Sequence, residues 1–217
     1  MSNDMLRTIA NQIGPARMSR YISAANEDLR LAISLYGWNQ RVGAELFILI
    51  GTVEVVLRNS IHRSLSEWQH RRARGESWFD SGAISLDRKS LRDVDLARQR
   101  ILAKGREITD DRLVSELGFG FWRYLMTARY RANLWPIMRQ SFAGFEPGQE
   151  AALFARVGRL HEIRNRIAHH EPIFGRRLDL DHRDCLLVLG AVCPVTAQWA
   201  EGISRIPEVL ANTPLLR

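Results

Sequence analysis

Apolar residues recur at intervals of three and four along most of the 217-residue chain, and no stretch alternates convincingly at intervals of two. This pattern predicts an all-α protein. A first long helix is expected from Pro15 to Tyr36, and Trp38 and Asn39 are expected to interrupt it. Asn39 is then suited to cap a second helix that reaches about Trp68.

The middle of the chain has a less regular pattern. Residues 69–85 mix a basic cluster with two glycines and show no steady period, which predicts a loop or insertion. A charged surface helix is expected from Asp87 to about Lys104, and Thr109 and Asp110 can cap another short helix. We interpret the aromatic residues of the segments GFGFWRYLM and LWPIMRQSF as core residues rather than platforms for stacked bases.

Two further helices are predicted towards the end of the sequence. The first spans residues 149–171, because Pro172 disfavours helical geometry at the residue before it. The second spans about 181–203 and is expected to bend near Pro194. The sequence contains neither an internal repeat nor a low-complexity region, and residues 1–217 are interpreted as one helical domain.

The net charge of the chain indicates what kind of partner it binds, and its cysteine content indicates its cellular compartment. Lysine and arginine outnumber aspartate and glutamate by 31 to 24, which favours an anionic partner, although a merely soluble basic surface has the same composition. Cys185 and Cys193 flank an apolar run, which excludes a disulfide scaffold and favours a reducing cytoplasm. The longest apolar stretch has 12 residues and contains Glu54, and the start of the chain lacks an export signal's apolar core. Neither a membrane span nor export is expected.

Residues 158–174, GRLHEIRNRIAHHEPIF, carry the side chains best suited to chemistry. Arg164, Asn165, His169 and His170 fall near the end of the helix predicted over 149–171, which we call the motif helix. Arginine grips phosphate through parallel N–H donors, and histidine exchanges protons near neutral pH. This combination predicts binding and cleavage of RNA without a metal ion or other cofactor.

The apolar side of the motif helix is expected to face the core of the chain. With about 100° of rotation per residue, Asn165 and His169 lie roughly 160° from Ile167 in opposite directions, away from the core. Arg164 and His170 lie about 60° to either side of the apolar stripe. Arg164 and His169 are therefore poor neighbours within one chain, and a composite site forms more easily between the motif helices of a homodimer. The residues of the stripe are Val157, Leu160, Ile163 and Ile167.

Simpler interpretations of these residues stay open. Arg164 can form an ion pair with a carboxylate such as Glu54, and His169 can be a polar surface residue at the helix end. A metal site is not expected, because adjacent histidines diverge by one helical step and the pattern H-E-x-x-H does not occur.

In its wider context, RLHEIRNRIAHHEPIF resembles the signature of Abi-like (abortive infection) proteins, a branch of the HEPN superfamily whose hallmark is R-x4-6-H. Residues 18–65 resemble the first pair of helices of that family, and GFGFWRYLM with the following LW resembles its middle segment. The resemblance covers about Met18 to Trp199, and the joint order of these elements is more specific than any one motif. The matching positions in the first pair of helices are Tyr36, Trp38, Asn39, Glu54, Arg58 and Asn59.

This resemblance implies an all-α, HEPN-like helical bundle, here with additional helices, and a homodimer whose motif helices face each other. It implies metal-independent cleavage of RNA in a toxin or phage-defence role, with an antitoxin or defence protein as a further candidate partner. Arg164 and His169 take the hallmark positions, Asn165 the polar position between them, and His170 the second histidine of the Abi-like version. Glu171 stands where HEPN toxins silenced by AMP addition carry tyrosine, so neutralisation by that route is not expected.

The expected reaction is attack of a ribose 2′-hydroxyl on the adjacent phosphorus. His169 would act as general base or acid and Arg164 would stabilise charge on the phosphoryl oxygens, while Asn165 orients the RNA or the imidazole. His170 either supplies the second proton transfer or shapes the end of the helix. A rival hypothesis is an RNA-binding or partner-binding module without catalysis, and a third is a helical scaffold for another defence protein.

Four further residues are expected to support this site. Glu54 and Arg58, one helical turn apart, are expected to form an ion pair that buttresses the motif helix. Asn59 and Arg166 are assigned to the same supporting group.

Overall fold

The computed structural model describes residues 1–72, 76–80, 82, 84–146 and 148–216, and within these ranges it contains helices and no strand, so the protein is all-α. Short 3₁₀ turns lie at Ala128–Tyr130, Arg139–Ser141 and Pro214–Leu216. The α-helices are α1 (Asn3–Ile13), α2 (Pro15–Ala24), α3 (Leu29–His70), α4 (Arg88–Ala103), α5 (Asp110–Glu116), α6 (Phe119–Leu125), α7 (Trp135–Met138), α8 (Glu150–Ala168), α9 (Leu178–Val192), α10 (Pro194–Ile203) and α11 (Ile206–Ala211).

The central element is α3, a single helix of 42 residues. The predicted interruption at Trp38 and Asn39 is wrong, because both side chains find distant partners that let the helix continue. The indole Nε1 of Trp38 donates to the carbonyl of Val209 at 2.7 Å. Asn39 is only 4% exposed, and its Oδ1 accepts from the backbone N–H groups of Ile173 and Phe174. An asparagine whose side chain is occupied elsewhere no longer competes with its own helix.

The N-terminal helices also differ from the prediction. Helix α1 was not foreseen, and the helix predicted from Pro15 to Tyr36 ends at Ala24. Asn26 and Glu27 then adopt positive φ angles of 51° and 65°, which turn the chain into α3. Asp28 begins that helix, since its Oδ1 accepts from two backbone N–H groups of the first turn.

The predictions for the middle of the chain are largely confirmed. Asp87 caps α4 and Thr109 caps α5, each through its side-chain oxygen. The aromatic residues of the two middle segments lie in the core, with Trp122 completely buried. The described part of the predicted loop at 69–85 is irregular after His70, while 73–75, 81 and 83 lie outside the described residues. This segment is nevertheless anchored, because buried Trp78 donates to His62 on α3 at 2.9 Å.

Helix α8, which corresponds to the motif helix, packs against α3 and α9, and these two helices also pack against each other. The predicted final helix is two helices, because the chain leaves helical geometry at Cys193 and restarts at Pro194, whose lack of an N–H is tolerated at a helix start. None of the helices in the described part of the chain is long and apolar enough to cross a membrane.

Candidate functional site at the end of α8

The motif helix ends earlier than the sequence predicts. Helix α8 begins at Glu150 and ends at Ala168, so His169 is its C-cap and His170 lies beyond it. His170 has φ +55°, its N–H donates to the carbonyl of Ile167, and the Glu171 N–H donates to that of Arg166. This is a Schellman motif, which satisfies the last carbonyls before the chain turns away. The two histidines therefore lie in the cap rather than in the last helical turn.

The core-facing side of α8 is as predicted, since Val157, Leu160 and Ile163 are fully buried. Ile167 packs at the edge of this core. It contacts α3 at Gly43, where a Cβ atom would lie 3.7 Å from Ile167 Cγ2. This contact and the one between Phe47 and Arg164 show that α8 runs antiparallel to α3.

Arg164 lies half-buried at the flank of the apolar stripe, as its position on the helix predicts. The guanidinium carbon lies 5.7 Å from the centre of the Phe47 ring, and Nη1 makes a long 3.5 Å contact with Asn165 Oδ1. Arg164 has no carboxylate within ion-pair distance in the described ranges, so the predicted alternative of a pair with Glu54 does not occur. Its guanidinium is available to an anion.

The other arginines of α8 are different. Arg156 and Arg159 both pair with the buried carboxylate of Asp184, at 3.1 and 2.6 Å. Arg166 pairs with Glu171 at 3.3 Å and lies 3.5 Å from the carbonyl of Pro172. Arg166 therefore braces the segment after the helix, in keeping with its expected supporting role.

Asn165 is half-buried and belongs to a group that includes a histidine missed at the sequence level. Asn165 Nδ2 lies 3.4 Å from Nε2 of His161, one turn earlier on the same face of α8. His161 packs edge-on against Phe119 and approaches the backbone of α6 closely, since a Cβ atom at Gly120 would lie 3.2 Å from its Nε2. The four-residue spacing between His161 and Asn165 was the available signal in the sequence.

Positive charge surrounds His161. Burial lowers the pKa of the His161 imidazole below its usual value, and the guanidinium charges of Arg123 and Arg164 lower it further. Arg123 comes from α6 and lies over α8 at Gly158, where a Cβ atom would lie 3.7 Å from its Nε. The neutral form of His161 is thus favoured beside two cations, a setting that also suits a bound anion, because its pKa is lowered.

His169 and His170 are both exposed but differ in how they are held. The imidazole of His169 forms no hydrogen bond with any residue that the structure describes, while its backbone N–H donates to the Asn165 carbonyl at 3.0 Å. The carbonyl of His170 accepts a hydrogen bond from Arg17 of α2. The backbone of His170 therefore contributes to the shape of the helix end, while both residues present exposed imidazoles that bond to no residue in the described part of the chain.

A single chain does not bring Arg164 and His169 together. They are five residues apart on a regular helix, which separates their directions by about 140°. The Arg164 guanidinium lies over the Phe47 ring of α3, whereas the His169 side chain is exposed to solvent at the cap. The structure of one chain thus agrees with the sequence-level geometry.

The supporting residues of α3 are arranged differently from the expectation. Glu54 and Arg58 are half-buried and Asn59 is exposed, but within the described residues Glu54 and Arg58 do not form the expected ion pair. Phe47, Glu54 and Arg58 share one face of α3, since separations of seven and eleven residues return the helix to within about 20°. Arg58 Nε is buried and has no hydrogen-bond partner among those residues.

Beside the motif lies a groove of about 400 Å³ between α3 and the end of α8. Its walls are mostly apolar and include Phe47, Ile48 and Ile167, while Asn39 and His170 contribute polar atoms. Because the Phe47 ring also lies under the Arg164 guanidinium, the groove and the available cation adjoin each other. Among the described residues, no group of three or more His, Cys, Asp or Glu side chains is arranged to hold a metal ion.

Comparison of the chain with protein-family models, curated proteins and solved structures finds no match. The geometry of the site is therefore the basis for the function proposed below.

Proposed function

We propose that this protein is a metal-independent endoribonuclease of the HEPN type, acting in the cytoplasm as a toxin or phage-defence (abortive infection) effector. The ribose 2′-oxygen bonds to the adjacent phosphorus as its proton passes to a base, and the bond from phosphorus to the 5′-oxygen breaks as that oxygen takes up a proton. The products are a 2′,3′-cyclic phosphate and a 5′-hydroxyl. DNA resists the reaction because it lacks the nucleophile.

The observation that carries this proposal is the contrast between Arg164 and the other arginines of its helix. Arg156, Arg159 and Arg166 are neutralised by carboxylates, whereas Arg164 meets none in the described part of the chain. An available guanidinium and an exposed imidazole, five residues apart near the end of one helix, supply the phosphate-binding and proton-transfer groups that the reaction needs once two subunits bring them together.

The roles follow from exposure and contacts. His169 is the general base or acid, because its imidazole reaches solvent and substrate. Arg164 stabilises charge on the phosphoryl oxygens, and Asn165, held beside His161, orients the RNA. His170 shapes the helix end, in agreement with its positive φ angle and with the bond from Arg17 to its carbonyl.

We propose a homodimer because one chain directs Arg164 and His169 apart. A two-fold axis beside α8 sets the imidazole of one subunit opposite the guanidinium of the other. Sedimentation is expected to show a dimer, and a strictly monomeric protein that cleaves RNA at full rate would refute the composite site.

The test of the activity is incubation of the purified protein with RNA in EDTA. His169→Ala and Arg164→Ala are each expected to lower the cleavage rate roughly 100-fold or more, while products keep cyclic phosphate ends. His70→Ala and Arg177→Ala are matched controls, because both residues are exposed and lie outside the motif. Equal cleavage by all variants would mean a contaminant or another site.

A second candidate is an RNA-binding or partner-binding module without catalysis. It is favoured by the His169 imidazole, which no described side chain orients in the single chain, whereas catalytic imidazoles are usually held by a second group. This candidate predicts salt-sensitive binding of RNA, or of an antitoxin or other defence protein, and no product with a cyclic end.

A further inference from the structure

We propose that the groove between α3 and the end of α8 binds one nucleobase of the substrate, and that Asn39 Nδ2 is the hydrogen-bond donor that recognises it. The inference rests on the proposed action on RNA and names the part of the substrate that this site reads. It assigns a binding role to Asn39, which lies 125 positions before Arg164 in the chain.

The groove suits a flat, mostly apolar ring. Its volume of about 400 Å³ holds a nucleoside, and its walls are formed by Phe47, Ile48 and Ile167. Stacking of a base on an aromatic side chain contributes about 1–3 kcal/mol and does not depend on which base is present. The phosphate attached to such a base then lies close to the Arg164 guanidinium above Phe47.

Asn39 supplies the polar contact. Its Oδ1 accepts from the N–H groups of Ile173 at 2.8 Å and Phe174 at 3.2 Å, which fixes the orientation of the amide. The Nδ2 group therefore points the other way, and Asn39 lines the groove. Nδ2 has no hydrogen-bond partner among the described residues, and it is not one of their fully buried unsatisfied atoms, so it keeps access to solvent. A donor held in this way fits a carbonyl oxygen or ring nitrogen of a base.

This donor also argues against a purely apolar occupant. A leucine or phenylalanine from a second copy would cover Asn39 Nδ2 without accepting its hydrogens, which costs about 1–3 kcal/mol. A base fills the same space and satisfies the donor.

The first experiment is a ¹⁵N NMR titration of the full chain with the four ribonucleoside 5′-monophosphates and with ribose 5-phosphate. At least one nucleotide should shift the Asn39 side-chain amide and the backbone signals of Gly43 and Ala168. Ribose 5-phosphate, which lacks a base, should leave the Asn39 amide unchanged. Equal shifts with ribose 5-phosphate, or none with any nucleotide, would overturn the inference.

Three variants test whether nucleotide binding depends on the groove. Ala44→Leu places a larger side chain at an exposed position of its wall and should weaken nucleotide binding about tenfold or more. Ser34→Leu adds the same side chain elsewhere on the exposed surface of α3 and should bind normally. Asn39→Asp keeps the acceptor for Ile173 and Phe174 but replaces the donor, and should change which base binds best. Unchanged affinity in Ala44→Leu would contradict the proposal.

Base binding in the groove and cleavage of RNA are separate properties, and the experiments distinguish the loss of one from the loss of the other. Base binding without any RNA cleavage would reject the nuclease and leave the groove assignment intact. Cleavage by Ala44→Leu at the wild-type rate and the wild-type sites would reject the groove and leave the nuclease intact. A lower dimer fraction in Ala44→Leu, with no nucleotide-induced shift at Asn39, would identify the groove as a contact between copies and overturn the base-binding role.

Discussion

The two flanks of α8 differ in whether their arginines pair with carboxylates. On the matched side, which faces α9, Arg156 and Arg159 share Asp184, and Arg176 forms two bonds of 3.2 Å with Asp181. Each guanidinium there meets a carboxylate.

The open side, which faces α3 and α6, contains Arg164, Arg123 and His161. No carboxylate pairs with either arginine in the ranges that the structure describes. Burial lowers the pKa of His161, and both guanidinium charges lower it further.

The arginines of the matched side stabilise the fold, whereas those of the open side are available for binding an anion. Asp181 and Asp184 are 4% and 7% exposed, and buried carboxylates are tolerated only because arginines compensate them. Uncompensated guanidinium groups repel each other and gain from an added anion such as phosphate. The open side is therefore the surface on which RNA is expected to bind, and the matched side explains much of the arginine content without any ligand.

The largest expected difference is in stability. Arg176→Ala leaves the buried Asp181 carboxylate without its cation and should lower the free energy of unfolding by about 3 kcal/mol. Arg164→Ala removes only a cation over Phe47 and should cost about 1 kcal/mol or less. Urea unfolding followed by circular dichroism measures both. Similar losses for the two variants would mean that the flanks do not differ as described.

A smaller effect is expected when a carboxylate is added to the open side. Phe47→Glu should pair with Arg164, weaken RNA binding about tenfold and lower the number of phosphate contacts read from the salt dependence by about one. Val55→Glu adds the same charge at another exposed position of α3, and Phe47→Ala removes the ring without adding a charge, so the two variants together are the controls. If either control weakens binding and lowers the salt dependence as much as Phe47→Glu does, Arg164 is not the phosphate contact.

The smallest effect concerns pH. The pKa of His161 is lowered in the folded chain, so the unfolded chain binds more protons as pH falls through the ordinary histidine pKa of about 6.5. Stability is therefore full above that value and is lost as pH falls towards the lowered pKa. His161→Gln should reduce this loss, although His62 and His182, whose pKa values are also lowered by burial, keep part of it.

An NMR titration of His161 can also compare the effect of an arginine on each flank on the pKa of its imidazole. NMR should show a higher pKa for His161 in Arg164→Ala, because one of the repelling charges is gone. In Arg159→Ala the pKa of His161 should stay as in the wild type, since Arg159 is neutralised by Asp184 on the other flank. A shift of equal size in both variants would contradict the assignment of charge to the open side.

The sequence predicts the parts of this fold that local patterns determine. The all-α class, the caps at Asp87 and Thr109 and the buried stripe of α8 were predictable because periodicity and cap chemistry act over a few residues. Asn39 was misread as a cap because its partners, Ile173 and Phe174, lie far away in the chain. The order of the helices gave no sign that this segment would pass beside α3.

The candidate site likewise has features that the sequence predicts and features that it does not. The directions of Arg164 and His169 followed from helix geometry, and the exposure of His169 agrees with them. The early end of α8 was not predictable, because the left-handed turn at His170 depends on bonds formed after the helix. The expected pair between Glu54 and Arg58 failed because spacing along a helix makes an ion pair possible but does not enforce it.

The end of α8 is tied to segments that lie far away in the chain. Asn39 holds residues 173 and 174 across a separation of 134 and 135 positions, and Arg17 holds His170 across 153. Forming contacts between such distant segments closes long loops, which costs chain entropy that grows slowly with loop length. The bonds of the Schellman motif are local, but a peptide with the sequence of α8 alone would lack the bonds from Arg17 and Asn39 that hold the segment after the helix.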